Sequence, residues 1–172
     1  MAKRWYTNIE SLRADRFTGF VSIRELRARK LAPVPGGSGD VGVYVVLRTE
    51  IGVPSFLEAS SGGCFKGRDP NVALDELRAK WVPNSQIIYI GKAGGTNKSA
   101  TLRSRLRQYL DFGAGRAVGH WGGRYIWHLP DSQNLVICWK LTPDAVPRAV
   151  EQQMIQEFTT AFGARPFANL SH

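Results

Sequence analysis

The chain has 172 residues, 43% of them hydrophobic and 22% charged, and a net charge of +9; these values are typical of one folded, basic domain. No apolar run approaches the roughly 18 residues of a membrane-spanning helix, and the opening MAKRWYTNIESL lacks the apolar segment of a signal peptide. Cys64 and Cys138 belong to no CxxC pair, which argues against a zinc site or disulfide scaffold and predicts a cytoplasmic protein.

The predicted elements begin with a basic N-terminal extension over residues 1–36. Within it, Ser22 followed by Glu25 is a capping-box pattern that opens a short helix running to about Lys30. A loop rich in glycine and proline follows. The β-branched run VGVYVVLR at 41–48 then predicts a buried strand.

The rest of the chain alternates strands and helices. An irregular region after the first strand holds one short predicted strand near 55–58. Helices are predicted at 71–81, 100–111 and 145–162, and strands at 86–91, 122–129 and 134–141. Pro147 is tolerated because it falls in the first turn of its helix. This order predicts one mixed α/β (α+β) domain over residues 1–172.

The positive charge is unevenly distributed along the chain. Residues 1–36 carry eight basic and three acidic groups, a net charge of +5, and residues 92–130 carry seven basic groups and one acidic group, a net charge of +6. The intervening and final segments are each near neutral. Two basic blocks on a neutral body indicate a polyanionic partner, with nucleic acid as the default. A solvated basic face without a partner is the alternative.

The helix predicted at 100–111 contributes arginines to the second basic block. Its apolar stripe consists of Leu102, Leu106, Tyr109 and Leu110. Arg105 borders that stripe, so its stem can pack while its planar guanidinium reaches phosphate oxygens in a cleft. Exposure to solvent or pairing with a carboxylate is the alternative. Arg103, Arg107 and Lys98 are candidates for contacts with a nucleic acid.

One carboxylate of the C-terminal helix falls among its apolar residues. Glu151 lies within about 20° of Phe158 around the helix axis, whereas Glu157 falls on the border of the apolar stripe. A carboxylate directed into a core without a partner is costly, so Glu151 is expected to pair with an arginine, to donate a hydrogen bond as a neutral acid, or to bind a metal. One carboxylate without a histidine cluster suits Mg²⁺, which keeps several waters and binds substrate phosphate.

Together these features resemble the GIY-YIG nuclease family. The matching pieces are Gly42-Val43-Tyr44, Tyr89-Ile90-Gly91 followed by Lys92, Arg105 with Tyr109 four residues later, Glu151 before Met154-Ile155, and Asn169 closing Pro166-Phe167-Ala168-Asn169. They span residues 42–169, nearly the whole chain. The resemblance implies a small central, mainly antiparallel sheet flanked by helices.

The resemblance also implies a metal-dependent endonuclease that hydrolyses phosphodiester bonds in DNA. Glu151 would bind Mg²⁺ or Mn²⁺, and Arg105 would neutralise charge as the transition state forms. Tyr44 would help to deprotonate the attacking water. Because an unperturbed tyrosine titrates near pH 10, this role requires Lys92 or the metal to lower the pKa of Tyr44.

The remaining motif residues have supporting roles in this interpretation. Tyr89 would position phosphate or water, and Asn169 would brace the site. Tyr109 takes the place where many members of the family have histidine.

The chain departs from compact family members in two places. Between Tyr44 and Tyr89 lie 44 residues, so residues 49–84 are predicted to be an insertion that projects from the strand pair. The interval from the acidic residue to Asn169 is also long, which keeps Glu157 as a rival metal ligand.

Two other functions stay open from the sequence. One is a non-catalytic nucleic-acid-binding module on the same fold. The other is an RNA-binding or protein-interaction domain that uses Trp121, Trp127 and Trp139, although those residues are also suited to packing within strands.

Overall fold

The computed structural model describes residues 4–95 and 100–170. Its centre is a four-stranded antiparallel sheet in the order β1-β4-β2-β3. The strands are β1 (Thr18–Ser22), β2 (Gly42–Leu47), β3 (Ile87–Ala93) and β4 (Val136–Leu141). The predicted α+β class, with a small antiparallel sheet and flanking helices, is therefore confirmed.

In the described part of the chain, five α-helices and two 3-10 segments accompany the sheet. The α-helices are α1 (Ile9–Ala14), α2 (Ile23–Ala28), α3 (Leu74–Lys80), α4 (Leu102–Gly113) and α5 (Pro147–Phe162), and the 3-10 segments are Trp121–His128 and Ser132–Asn134. As predicted, the Ser22 side chain caps α2 by accepting a hydrogen bond from the Glu25 amide at 3.1 Å, and Pro147 opens α5. Among the described residues, no helix has the length and hydrophobicity to cross a bilayer.

The sheet lies between two hydrophobic cores, and β2 is therefore buried on both faces. Tyr44 and Val46 point into the core that includes α2, α4 and the first 3-10 segment. The alternate residues of β2, Val43, Val45 and Leu47, point into the core that includes α1 and α5. Helices α4 and α5 therefore lie on opposite faces of the sheet, next to its edge strand β3.

The predicted strand at 122–129 is wrong, because these residues form the 3-10 helix Trp121–His128. Four successive residues, Tyr125 to His128, are buried, whereas a strand with one solvated face would alternate. Gly123 allows the close packing of this segment, since a Cβ atom there would lie 2.6 Å from the Tyr109 ring.

Two further local features differ from the sequence-based expectations. No strand occurs near 55–58 among the described residues, where Phe56 instead stacks on Phe167 with ring centroids 5.5 Å apart. The N-terminal extension contains α1 and β1, which the sequence pattern did not predict. The β1 strand includes Gly19 and Phe20 at positive φ, so it lacks the regular alternation of a strand.

The insertion at 49–84 does not simply project from the strand pair. The buried side chain of His128 donates a hydrogen bond from Nδ1 to the Leu57 carbonyl at 2.7 Å, and its Nε2 accepts one from the Val72 amide at 3.1 Å. The Gly63 amide also donates to the Phe112 carbonyl at 2.8 Å. The insertion folds back on the body of the protein because these bonds satisfy its backbone groups.

Candidate active site

A cleft of about 1080 Å³ is lined by residues of β2, β3, α4, α5 and the C-terminal segment. It brings together six side chains that the sequence motifs predicted: Tyr44, Tyr89, Lys92, Arg105, Glu151 and Asn169. These residues come from both faces and the edge of the sheet. Their convergence is a property of the tertiary structure, since more than one hundred positions separate the first from the last.

The second signature glycine makes room for the first signature tyrosine. Gly91 is the cross-strand partner of Tyr44. A Cβ atom at Gly91 would lie 2.3 Å from Tyr44 Cζ and 2.5 Å from its hydroxyl oxygen. The φ angle of Gly91 is not positive, so the requirement for glycine is one of space rather than of backbone conformation. The glycine at position 91 therefore has a direct packing cause, which is the room that the Tyr44 ring needs.

An aromatic cluster at the inner end of the cleft consists of Tyr44 and Tyr89, which line the cleft, and of Tyr109 and His120, which pack against them. The ring centroids of Tyr44 and Tyr89 lie 6.0 Å apart, and those of Tyr89 and Tyr109 lie 5.4 Å apart. Tyr44 is 0% exposed and Tyr89 7% exposed. Tyr109, predicted as a supporting residue, lies behind the other two rings and is fully buried.

Burial makes the tyrosines of this cluster weaker acids. Desolvation is the largest cause, and it raises the pKa of Tyr44 well above 10 and that of Tyr89 to about 12. The positive charge of Arg105 opposes both shifts without reversing them. The expectation that Lys92 lowers the pKa of Tyr44 is therefore wrong for the protein alone, in which both phenols are neutral at pH 7.

His120 belongs to the cluster although the sequence analysis did not predict a role for it there. Its Nε2 lies 3.0 Å from the Tyr44 hydroxyl, and its ring stacks on Tyr109 with centroids 4.1 Å apart. Burial, with Arg105 as the second cause, lowers the pKa of His120 to about 3. No sequence pattern identifies it, because its partners lie 11 and 76 positions away.

The three arginines of α4 have different environments. The Arg105 side chain enters the cleft, where Nη1 donates to the Gly119 carbonyl at 3.2 Å and to Gln108 at 3.0 Å. Arg103 instead donates from Nε to the Val34 carbonyl at 2.8 Å and so braces the N-terminal extension, and its predicted contact with nucleic acid stays a prediction. Arg107 is exposed outside the described lining of the cleft, and its predicted contact is untested.

The sequence predicts two lysines for the site, Lys92 and Lys98. Lys92 is half-buried on β3 and lines the cleft. Lys98 lies outside the described residues.

The two rival carboxylates of α5 are separated by the structure. Glu151 is half-buried and lines the cleft, so it opens to solvent rather than pointing into a closed core as expected. Glu157 lies elsewhere, where it accepts hydrogen bonds from Trp5 Nε1 at 2.6 Å and from the Gln153 side chain at 2.9 Å. Only Glu151 shares the cleft with Arg105.

Asn169 braces the edge strand of the sheet. Its Oδ1 accepts a hydrogen bond from the Ile90 amide at 2.9 Å, and its Nδ2 donates to the Ile90 carbonyl at 2.8 Å. The adjacent Ala168 amide donates to the Ile88 carbonyl at 2.8 Å. These bonds satisfy backbone groups that an edge strand otherwise presents to solvent, and they hold β3 next to the cleft.

The donor atoms of the cleft fit a hard divalent cation better than zinc. Within residues 4–95 and 100–170, no three His, Cys, Asp or Glu side chains are placed to hold a metal ion together. Glu151 is the single carboxylate in the described lining of the cleft. One carboxylate is sufficient for Mg²⁺ or Mn²⁺ when waters and substrate phosphate supply the other oxygens.

Comparison of the chain with family models, with curated proteins and with solved structures finds no match. Membership of the GIY-YIG family therefore stays a prediction based on the motifs. The cleft itself combines one carboxylate with an arginine and two neutral phenols.

Proposed function

We propose that the protein is a metal-dependent endonuclease that hydrolyses phosphodiester bonds in DNA. The observation that supports it most strongly is the convergence of Glu151, Arg105 and Tyr89 on one cleft from three different elements. The carboxylate can hold a cation that neutralises the charge of a phosphodiester. The guanidinium and the phenolic hydroxyl groups can donate hydrogen bonds to its oxygen atoms.

The charge of the cleft favours a polyanionic substrate. Its described lining contains four basic residues, Lys92, Arg105, Arg148 and Arg165, against the single acidic residue Glu151. An excess of positive charge in a concave site attracts phosphate groups and raises their local concentration.

The length of the cleft favours a polymer over a mononucleotide. One exposed face of α5 lines it with residues four positions apart: Arg148, Gln152, Gln156 and Thr160. At about 1.5 Å per residue this α5 face is roughly 18 Å long. A nucleic-acid strand rises about 3.4 Å per nucleotide, so the face can follow roughly five nucleotides.

In the proposed reaction, a water oxygen forms a bond to phosphorus and releases one proton to solvent, while the bond from phosphorus to the leaving oxygen breaks and that oxygen takes up a proton from solvent. Arg105 binds a non-bridging phosphate oxygen and stabilises the charge that develops there. Tyr89, at the surface of the aromatic cluster, positions phosphate or water as a neutral hydrogen-bonding group. Glu151 would hold Mg²⁺ or Mn²⁺, which when bound neutralises phosphate charge and makes water more acidic.

The test is cleavage of supercoiled plasmid DNA with Mg²⁺ or Mn²⁺ by the wild-type protein and by two matched variants. We expect Glu151→Gln to abolish nicking because it removes the charged ligand from the cleft. Glu157→Gln should retain nicking, since its amide oxygen can still accept the Trp5 hydrogen bond. Thermal unfolding of both variants controls for loss of fold.

Three results would change the proposal. Loss of nicking in Glu157→Gln with retention in Glu151→Gln would contradict the assigned metal ligand. Cleavage of RNA instead of DNA would correct the substrate. Binding of DNA without cleavage at any metal concentration would support the alternative, a non-catalytic nucleic-acid-binding module.

A further inference from the structure

We infer that Gln152 and Gln156, on the α5 face, contact the base edges of the DNA strand in the cleft and so determine which sequences the protein prefers. Both residues line the cleft, and both are exposed. The inference deepens the proposed function and rests on its DNA substrate, although it does not require that the strand is cleaved. It adds sequence preference to a cleft whose positive charges alone would bind any phosphate backbone.

The two glutamines belong to an outer row of α5 that runs beside the proposed metal ligand. Helix α5 presents two rows of side chains to the cleft, since residues four positions apart share one side of a helix. The inner row is partly buried and consists of Glu151, Ile155 and Thr159. The outer row is exposed and consists of Arg148, Gln152, Gln156 and Thr160. Because Gln152 follows Glu151 directly, the outer row borders the carboxylate that would hold the cation.

The two amides of the outer row have their hydrogen-bonding capacity available. In the part of the chain that the structure describes, neither amide has a hydrogen-bond partner. The glutamines next to them differ: Gln108 accepts a hydrogen bond from Arg105 Nη1 at 3.0 Å, and Gln153 donates one to Glu157 at 2.9 Å. Each amide of the outer row therefore offers an acceptor oxygen and two donor hydrogens to a ligand in the cleft.

A neutral amide suits a base edge better than a phosphate group. Phosphate oxygens only accept hydrogen bonds, and the cleft already supplies charged donors for them at Arg148 and Arg165. A base edge presents donors and acceptors together, and a glutamine amide pairs with both N6 and N7 of adenine. Contacts with phosphate carry no sequence information, whereas contacts with base edges do. The two amides are therefore expected to favour adenine.

The spacing of the two glutamines predicts which bases they contact. Residues four positions apart in an α-helix are separated by about 6 Å along its axis, and successive nucleotides of a strand by roughly 3.4 Å. The two amides therefore face alternate nucleotides. Gln152 would contact the base beside the phosphate at Glu151, and Gln156 would contact the base two nucleotides farther along.

The backbone that carries the two amides is fixed by the packing of the opposite side of α5. Met154 is 6% exposed and Phe158 0% exposed, and Phe158 stacks on Phe162 with ring centroids 4.4 Å apart. A site on an anchored helix holds its side chains at a more constant spacing than a site on a loop. The preferred positions in DNA should therefore have a constant separation.

The first experiment selects bound molecules from a DNA library with random bases. It uses the wild-type chain with EDTA, so that no metal-dependent cleavage takes place. We expect adenine to be favoured by about tenfold at two positions that are separated by one other position. Gln152→Ala should remove the preference at the first position, and Gln156→Ala should remove it at the second.

Two control variants belong to this selection. Gln153→Ala should retain both preferences, because Gln153 is exposed on the same helix but lies outside the described lining of the cleft. Arg148→Ala should weaken the binding of all library members alike and leave the preferences unchanged, as expected for a phosphate contact. Thermal unfolding of each variant controls for loss of fold. Absence of any preference in the wild type, or the same preferences in both glutamine variants, would overturn the inference.

The second experiment exchanges the amide for a carboxylate. A carboxylate only accepts hydrogen bonds, and it suits the N4 amino group of cytosine. In the same selection, Gln152→Glu should replace adenine by cytosine at the first position, even if the added charge weakens overall binding. Gln153→Glu adds the same charge outside the described lining of the cleft and should keep adenine. Adenine preference retained in Gln152→Glu would contradict a direct contact between Gln152 and the base.

The selection separates this inference from the proposed function. If the wild-type protein selects adenine through the two glutamines but cleaves no nucleic acid with any metal, the proposed function fails and the inference stands. If the protein cleaves DNA but its preferences do not depend on the glutamines, only the inference fails. Absence of all DNA binding would overturn both.

Discussion

The aromatic cluster and the α5 face border the same cleft but differ in burial and in charge. The members of the cluster are almost wholly buried and neutral at pH 7, because desolvation raises the pKa of each tyrosine and lowers that of His120. The α5 face is exposed and begins with a charged residue, Arg148. Substrate would therefore meet buried, neutral hydrogen-bonding groups on one side and exposed charge, screened by ions in solvent, on the other.

This difference predicts that substitutions in the two regions affect different properties. Changes in the aromatic cluster should alter stability and its pH dependence, since close packing and burial determine both. Changes on the α5 face should alter affinity for nucleic acid and its salt dependence with little effect on stability.

The largest effect is expected from Gly91→Ala, which disturbs the aromatic cluster. The added methyl group would overlap the Tyr44 ring, which is itself packed in the core and has no space to move. We expect the free energy of unfolding to fall by about 3 kcal/mol. Gly95→Ala is the matched control, because nothing lies within 4 Å of its Cβ position and it borders the same cleft. Equal unfolding midpoints in urea for the two variants would contradict the packing argument.

A second, smaller effect is expected from pH. His120 has a pKa of about 3 in the folded protein against an ordinary value of 6.5. Between these values the unfolded chain binds a proton at this residue and the folded protein does not, so stability falls as pH falls. From pH 7 to pH 5 the contribution of His120 is a loss of about 2 kcal/mol.

The measurement for this prediction is urea unfolding at both pH values for the wild type and for His120→Gln. Other titrating groups are common to the two proteins, so the difference between their pH dependences isolates His120. An identical loss of stability in both proteins would show that the imidazole is protonated, or solvated, in the folded state.

The smallest effect on stability is expected for Arg148→Gln, on the α5 face, combined with Arg165→Gln, in the cleft-lining segment that follows α5. Both side chains are exposed, so the free energy of unfolding should change by less than about 0.5 kcal/mol. Affinity for a labelled DNA strand should weaken, and the slope of log Kd against log salt should fall by about one for each lost phosphate contact.

Fluorescence anisotropy at several salt concentrations measures this slope. Arg78→Gln is the matched control, because Arg78 is an exposed arginine of α3, paired with Asp75 and outside the described lining of the cleft. An equal decrease in slope for the control would show that binding follows net charge rather than the cleft.

Local sequence patterns were sufficient to predict an element where its hydrophobic period is strong or its boundary is clear. The β-branched run before Arg48 predicted β2, and the apolar stripe ending at Leu110 predicted α4, because both patterns match the side-chain geometry of one element. The pattern failed at 122–129, where consecutive apolar residues suited a strand as well as a buried 3-10 segment. It also failed in the N-terminal extension, where Gly19 and Phe20 interrupt the alternation of β1.

The candidate site was predictable only in its list of motif residues. The preference for Glu151 over Glu157 agrees with the structure's placement of Glu151 in the cleft, but helical periodicity alone left both open. The different environments of Arg103 and Arg105 could not be predicted from the sequence, because the carbonyl that Arg103 binds belongs to Val34, far away along the chain. No sequence pattern predicted the contacts of His120 with Tyr44 and Tyr109.

The amino-acid sequence by itself determined the class of fold, the two central strands, the long helices and the set of residues with the right chemistry for a phosphodiester. Those properties follow from short-range periodicity and from residue type. The tertiary structure alone decided that Tyr44 and Tyr89 are neutral, that His120 contacts Tyr44, and that residues 49–84 fold back on the body. These outcomes depend on desolvation and on contacts between distant segments, which no local pattern contains.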